Sequence, residues 1–306
     1  MEIKEVSKNY FLLDRTLLIP GEHNSILIEP GYDMIISGKF AGSSIEKALN
    51  LVEQWNKPLQ YIGITHSHGD HIGNLPFYFK RLNKTVQVIL SSESPLVKPP
   101  KETIMGVPQM PFFPQAEYKP ISQDCTLCLD NIECKVYYTP GHSYLLEDIS
   151  FFFPQNGILY LGDLLQPQGR SYENSDGVSP VPLFWNGIEY LATLEKLMKI
   201  PFEMIITGHG DVYSKEDGLN AIQVTYTSIQ KMQFWCAHFY NENRQECLED
   251  ICIQAYDQIV KERHFDIERA NQRKTVVNKE FNKTDYECFD RPGLRYFVEY
   301  AKNILV

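Results

Sequence analysis

The chain has 306 residues, 43% hydrophobic and 22% charged, with a formal net charge of −10. That length suits one large domain, or a core domain with a small addition, and the acidic balance argues against nucleic acid as a partner, because phosphate binding needs clustered Lys and Arg. No run of about 18 apolar residues offers a membrane span, Met1-Glu2-Ile3-Lys4-Glu5 lacks the basic and apolar parts of a secretory signal, and seven Cys read as reduced thiols of a cytoplasmic protein.

Short strands are predicted at Tyr10 to Leu13, Thr16 to Ile19, Ser25 to Glu29 and Asp33 to Ser37, with Pro20-Gly21 and Pro30-Gly31 as turns. Ser43 or Ser44 caps a helix that runs to about Trp55, with Ile45, Ala48, Leu49 and Val52 as its apolar stripe. A strand from Tyr61 to Thr65 delivers His66-Ser67-His68-Gly69-Asp70-His71. A helix from Ile72 to Leu82 and a strand from Val86 to Leu90 follow. This alternation suggests mixed sheets covered by helices. Residues 95 to 121 hold seven prolines among Met105, Met110, Phe112, Phe113 and Tyr118, which excludes a long helix or a central strand. A loop this long is commonly a binding loop or entrance; plain packing on the core is the equal alternative.

Cys125 to Leu129 and Ile132 to Tyr138 form a hairpin around Asp130-Asn131. Its alternation puts Cys125 and Cys128 on opposite faces, which argues against a zinc ribbon. Residues 166 to 185 are irregular and end in Phe184-Trp185, just before a helix from Asn186 to Lys199. A loop leaving a ligand-type residue stays near it, so Phe184 and Trp185 are candidates for a substrate pocket, with core packing as the alternative. Beyond Tyr213 the pattern is helical, starting at Ser214-Lys215-Glu216-Asp217. His238 and His264 fall there and read as ordinary helix histidines. Arg269 to Lys274 reads as a solvated helix face. Residues 1–213 are thus expected to form the main domain and 214–306 a helical cap.

Four segments share one design, an apolar strand running into a Gly-containing turn that carries a ligand-type side chain. They are the 66–71 cluster, Thr139-Pro140-Gly141-His142-Ser143, Leu161-Gly162-Asp163 and Thr207-Gly208-His209-Gly210. Imidazole nitrogen and carboxylate oxygen are the usual ligands of zinc and its neighbours. Strand ends can bring such side chains together from distant parts of a chain.

In that order, His-x-His-x-Asp-His, His142, Asp163 and His209 resemble the metallo-β-lactamase superfamily over residues 10 to 215. The resemblance implies an α/β, four-layer αβ/βα sandwich with a C-terminal helical extension. It implies two divalent metal ions, zinc first, with iron or manganese as alternatives. His66, His68 and His142 would hold one, Asp70, His71 and His209 the other, and Asp163 would bridge them; Asp70 and Asp163 would be the catalytic carboxylates. The family also carries an early strand-end Asp that supports the metal loop. The matching stretch here is taken as Met34-Ile35-Ile36-Ser37-Gly38, with Ile in its place. Length, ligand types and the run Pro182-Leu183-Phe184-Trp185-Asn186 look similar to the quinolone-signal response thioesterases, with glyoxalase II next. The implied reaction is hydrolysis of an activated carbonyl ester, foremost an acyl thioester. A lactonase, a glyoxalase II-like hydrolase and a regulatory metal-binding protein with little turnover are the alternatives. The expected partner is a small acyl substrate, with no nucleic acid and no membrane. The sequence leaves the oligomeric state open, a homodimer being one option.

Overall fold

The structure is a computed structural model and describes residues 3–32, 35–36, 39–40, 43–82, 84–104, 106–167, 179–278 and 282–304. The chain divides into two compact units. One comprises residues 1–139, 147–163 and 201–218, the other residues 140–146, 164–200 and 219–306. The helical tail expected from 214 onward therefore shares its unit with two segments from the middle of the chain.

In the first unit, β1 (Ile3–Ser7), β2 (Tyr10–Leu13), β3 (Thr16–Pro20) and β4 (Ser25–Ile28) precede a small hairpin of β5 (Ile35–Ile36) and β6 (Lys39–Phe40). Helix α1 (Ser43–Gln54), β7 (Leu59–Gly63), α2 (Gly69–Ile72), α3 (Leu75–Arg81), β8 (Val86–Ser91) and β9 (Ala116–Ile121) follow. These give a seven-stranded sheet in the order β1-β2-β3-β4-β7-β8-β9. It is antiparallel up to β4 and parallel from β4 onward. A second, six-stranded sheet runs in chain order through β10 (Cys125–Leu129), β11 (Ile132–Tyr138), β12 (Ile149–Phe153), β13 (Ile158–Tyr160), β14 (Met204–Ile206) and β15 (Val212–Ser214).

The period-2 pattern decides which face meets what. Leu17, Ile19, Ile26 and Ile28 point toward the second sheet and pack with Leu129, Val136, Phe151 and Phe153. The intervening Leu18 and Leu27 point the other way, with Ile62, Val88 and Leu90, against Ile45, Ala48 and Val52 of α1 and Leu75, Tyr78 and Phe79 of α3. Both faces of the first sheet are covered, so its strands read as nearly unbroken apolar runs. Each such buried side chain contributes about 1.5–3 kcal/mol.

Three expectations are corrected. The helix expected over 72–82 is α3, which starts only at Leu75, with Pro76 in its first turn, while Ile72 ends the separate short α2. The buried side chain of Asn74, at the break, donates to Pro30 O at 3.1 Å. Residues 116–121 form a strand, β9, and Pro120 is tolerated because that strand is the sheet's edge. At the other edge, β1 was not predicted, since its charged sequence carries no burial pattern. Of Asp33 to Ser37, only Ile35 and Ile36 lie within the described residues.

The second unit contains α4 (Gly187–Leu197), α5 (Lys215–Glu242) from residue 219 on, α6 (Leu248–Glu262), α7 (Ile267–Thr275), a π-helical turn at Tyr286–Asp290 and α8 (Arg291–Ile304). Asn186 caps α4 by accepting from Glu189 N at 3.0 Å. Arg273 does not belong to a solvated face. It is buried, with Nε 2.7 Å from Asp290 Oδ2 and Nη2 2.9 Å from Oδ1, and Ser179 Oγ donates to the same carboxylate at 2.5 Å. None of the described helices is long and apolar enough to cross a membrane.

Candidate metal centre

The ligand-type residues of the first unit sit at the C-terminal ends of parallel strands. β4 and β7 are parallel neighbours, as are β13 and β14. β7 leads into Thr65 and His66. β13 leads into Asp163 and β14 into His209, and the two turns are tied by Gly208 N donating to Gly162 O at 2.7 Å. Gly162 has φ +61°, and a Cβ on Gly208 would stand 2.6 Å from His71 Cε1 and 2.9 Å from Asp163 Oδ1. Any larger residue at 208 would collide with two ligand candidates.

Donor atoms of Asp70, His71, Asp163 and His209 all lie within 4.8 Å of one another, and so do those of His66, His68 and Asp163. His66 Nε2 faces His68 Nδ1 at 2.9 Å. His71 Nε2 is 3.3 Å from Asp163 Oδ1 and 3.6 Å from Asp70 Oδ2, and His209 Nε2 is 3.1 Å from Asp163 Oδ2. Six of the seven expected ligands thus converge within one unit. The seventh, His142, belongs to the second unit, where its Nδ1 lies 2.9 Å from Leu183 O.

These residues fit a transition-metal ion. Among the described residues, His71 Nε2 and His209 Nδ1 are buried without a hydrogen-bond partner, which is costly for a polar atom. His71 Nε2 is aimed between two carboxylates, as a ligand nitrogen would be. Burial works against ionising Asp70, but His71, His209 and His68 outweigh it and bring its pKa down to about 2. Asp163 follows the same balance: burial opposes ionisation, His209 and His71 prevail, and its pKa lies well below the usual carboxylate range. Burial pulls His71 down, yet Asp163, Asp70 and Glu29 hold it well above the usual imidazole range. Asp163 likewise raises His209. A divalent cation and a proton compete for these nitrogens.

The supporting carboxylate is present, at a position the sequence reading passed over. Glu29 follows β4, is fully buried, and places Oε2 3.3 Å from His71 Nδ1. The same oxygen accepts from Thr65 Oγ1 at 2.5 Å. Taking Ile35 or Ile36 as a lost Asp is therefore corrected. Glu29 heads a Glu-Pro-Gly strand end, the same design as the four recognised segments. Arg15 was also missed. Its guanidinium, inside the unit, donates to Asp70 O at 3.2 Å and lies 3.5 Å from Asp70 Oδ2. The proline-rich stretch touches both the metal loop and the core. Gly106 O accepts from Gly69 N of the metal loop at 2.8 Å, while Phe113 stacks on Phe79 in the core.

In the second unit Phe184 is fully buried, its ring packed on Tyr190 and Phe297. This placement makes it a core residue, not a wall open to a ligand. Trp185 is half-buried and meets Tyr144 edge to face, with ring centres 4.9 Å apart. Tyr144 is 54% exposed, and Trp185 N donates to Gly141 O at 3.0 Å, so this aromatic pair flanks the His142 turn. A separate cavity of about 260 Å³ lies between α5, α6 and residues 180–182, with Val181, Met232, Ile259 and Arg263 in its walls. Cys128 is exposed while Cys125 packs on the core, so the two do not share a face.

A family model described as the metallo-beta-lactamase superfamily matches residues 6–209. The chain belongs to this superfamily. It is 24% identical over 160 residues to a beta-lactamase-like protein 2 homolog of Caenorhabditis elegans, a match covering 52% of this chain and 45% of that protein. It is 25% identical over 207 residues to a hydroxyacylglutathione hydrolase of Bartonella henselae, covering 67% of this chain and 64% of the relative. The chain thus spans between about half and two thirds of these two relatives. Among solved structures, DIM-1 metallo-beta-lactamase superposes with a TM-score of 0.53 at 16% identity, covering 75% of this chain and 96% of that one. The α/β metallo-β-lactamase fold with a helical C-terminal region is therefore shown.

Proposed function

We propose that this protein is a dinuclear metal-dependent hydrolase acting on an activated acyl ester, foremost an acyl thioester. The convergence of Asp70, His71, Asp163 and His209 with His66 and His68 carries the reading. In it, as the family resemblance implies, His66, His68 and His142 would hold one ion, Asp70, His71 and His209 would hold a second, and Asp163 would be shared. Zinc is the first choice for such a donor set, with iron or manganese next. When bound, the pair supplies a water-derived nucleophile at neutral pH and polarises the carbonyl under attack.

The chain's own residues do the rest. Asp163, kept ionised against its burial by His209 and His71, faces both of those rings. Glu29 and Thr65 fix the His71 and His66 rings. Trp185 is the residue we expect to meet an apolar acyl group, since ligand pockets are mostly apolar. The thioester preference draws on relatives named for acylglutathione hydrolysis. We place the protein in a reducing, cytoplasmic setting, in which its seven cysteines would stay reduced.

The test is kcat/KM on acyl thioesters of two chain lengths, a lactone and a phosphodiester, for wild type and Trp185→Ala. We expect the long thioester to be best and Trp185→Ala to lose about 3–10-fold on it alone, the worth of about 1 kcal/mol of apolar contact. Faster phosphodiester cleavage, or no turnover with metal bound, would overturn the proposal.

A further inference from the structure

Ser67 stands between His66 and His68 and is held from far along the chain. Its N–H donates to Glu147 Oε1 at 3.2 Å and its Oγ to Glu147 Oε2 at 2.7 Å. Ser67 Oγ also lies 2.8 Å from Ser94 Oγ, in the turn that leaves β8. All three residues are buried. Two residues on, at the start of β12, Ile149 N donates to Thr65 O at 3.0 Å. The backbone from Thr65 to Ser67 is thus fastened at two points to residues 147–149.

We propose that Glu147 is a positioning residue of the metal centre, which through Ser67 fixes the backbone from which His66 and His68 project. Both carboxyl oxygens accept from one residue, which defines its place in a way that a single contact would not. Burial pushes the Glu147 carboxyl up to about 8, against the hydrogen bonds from Ser67 and with help from Asp148. A neutral acid at pH 7 adds no charge to the site, so its contribution is geometric. Four ligand-type residues come from the 66–71 loop, so a displaced Ser67 would disturb both proposed ion sites.

The proposal rests on the metal reading and is tested by metal binding rather than by turnover. Zinc affinity is measured by chelator competition on the full chain, and the visible spectrum is recorded with cobalt in place of zinc. Glu147→Ala should weaken zinc by about 10–100-fold, the usual range for groups that orient ligands, and change the cobalt spectrum. Glu147→Gln should stay within about threefold, because an amide keeps an acceptor for the Ser67 N–H. Ser67→Ala, which keeps the backbone bond, should lose roughly fivefold, the worth of about one hydrogen bond. It also decides the matter if Glu147→Ala fails to fold. Melting with and without zinc separates positioning from bulk support: a lost positioning residue shrinks the rise in Tm that zinc gives, whereas lost bulk support lowers Tm equally with and without zinc. Wild-type affinity and spectrum in Glu147→Ala or Ser67→Ala, or equal damage from Glu147→Gln, would overturn the proposal. A wild type that binds no zinc would instead overturn the metal reading.

Discussion

Two buried polar clusters, one in each unit, use similar chemistry and close differently. In the second unit, Asp290 receives two bonds from Arg273 and one from Ser179. Its charge is met inside the protein. In the first unit, three carboxylates and the imidazoles crowd together, yet His71 Nε2 has no hydrogen-bond partner among the described residues. A satisfied cluster holds a fold together, whereas an unsatisfied one at strand ends is built for something that arrives from outside.

Breaking the closed cluster should have the largest effect. Asp290→Ala leaves Arg273 buried without its main partner and should cost about 3–5 kcal/mol in denaturant unfolding, with metal content per folded chain unchanged. Replacing Arg273 and Asp290 together by Met and Leu should recover most of that loss. Next comes the open cluster. Asp163→Ala should lose metal and more than about 100-fold in kcat/KM, beyond what removing an orienting group costs, and at least as much as Asp70→Ala. Full activity would show that Asp163 is not shared between ions. Glu29→Ala should leave the ligands in place and weaken zinc by about tenfold, read by chelator competition.

The last comparison is of pH dependence. Glu147 is raised from 4.5 to about 8 in the folded chain. Between those values the folded state holds a proton that the unfolded state has lost. Its contribution to stability therefore falls as pH rises from 4.5 to 8 and is level outside that window. Glu147→Gln should flatten the decline of Tm between pH 5 and 8. An unchanged slope would show that the carboxyl is ionised throughout.

The ligand turns were legible in the sequence because each is local: an apolar strand, a glycine and one donor. The helices of the tail were legible from their stripes, and Ser214 does open α5, its Oγ accepting from Asp217 N at 3.2 Å. Glu29 was passed over because the supporting carboxylate was sought a few residues later, in the family's Asp pattern. Glu147 and Arg15 left no local signal. Their partners, Ser67 and Asp70, are set by which strands become neighbours, and no window of sequence contains both members of either pair. Phe184 misled for a related reason, since proximity to a ligand turn along the chain does not say which way a ring points.

The placement of donors at the ends of parallel strands bears on how fast the molecule forms and how long it lasts. β13 and β14 come into register only after the chain has returned through α4, and such non-local parallel pairing is slow and late. Asp163 and His209 are therefore expected to come side by side late in folding. An ion that grips both should leave the refolding rate unchanged and slow the escape from the folded state. Such an ion would act as a lock on the finished chain and would not serve as its folding nucleus.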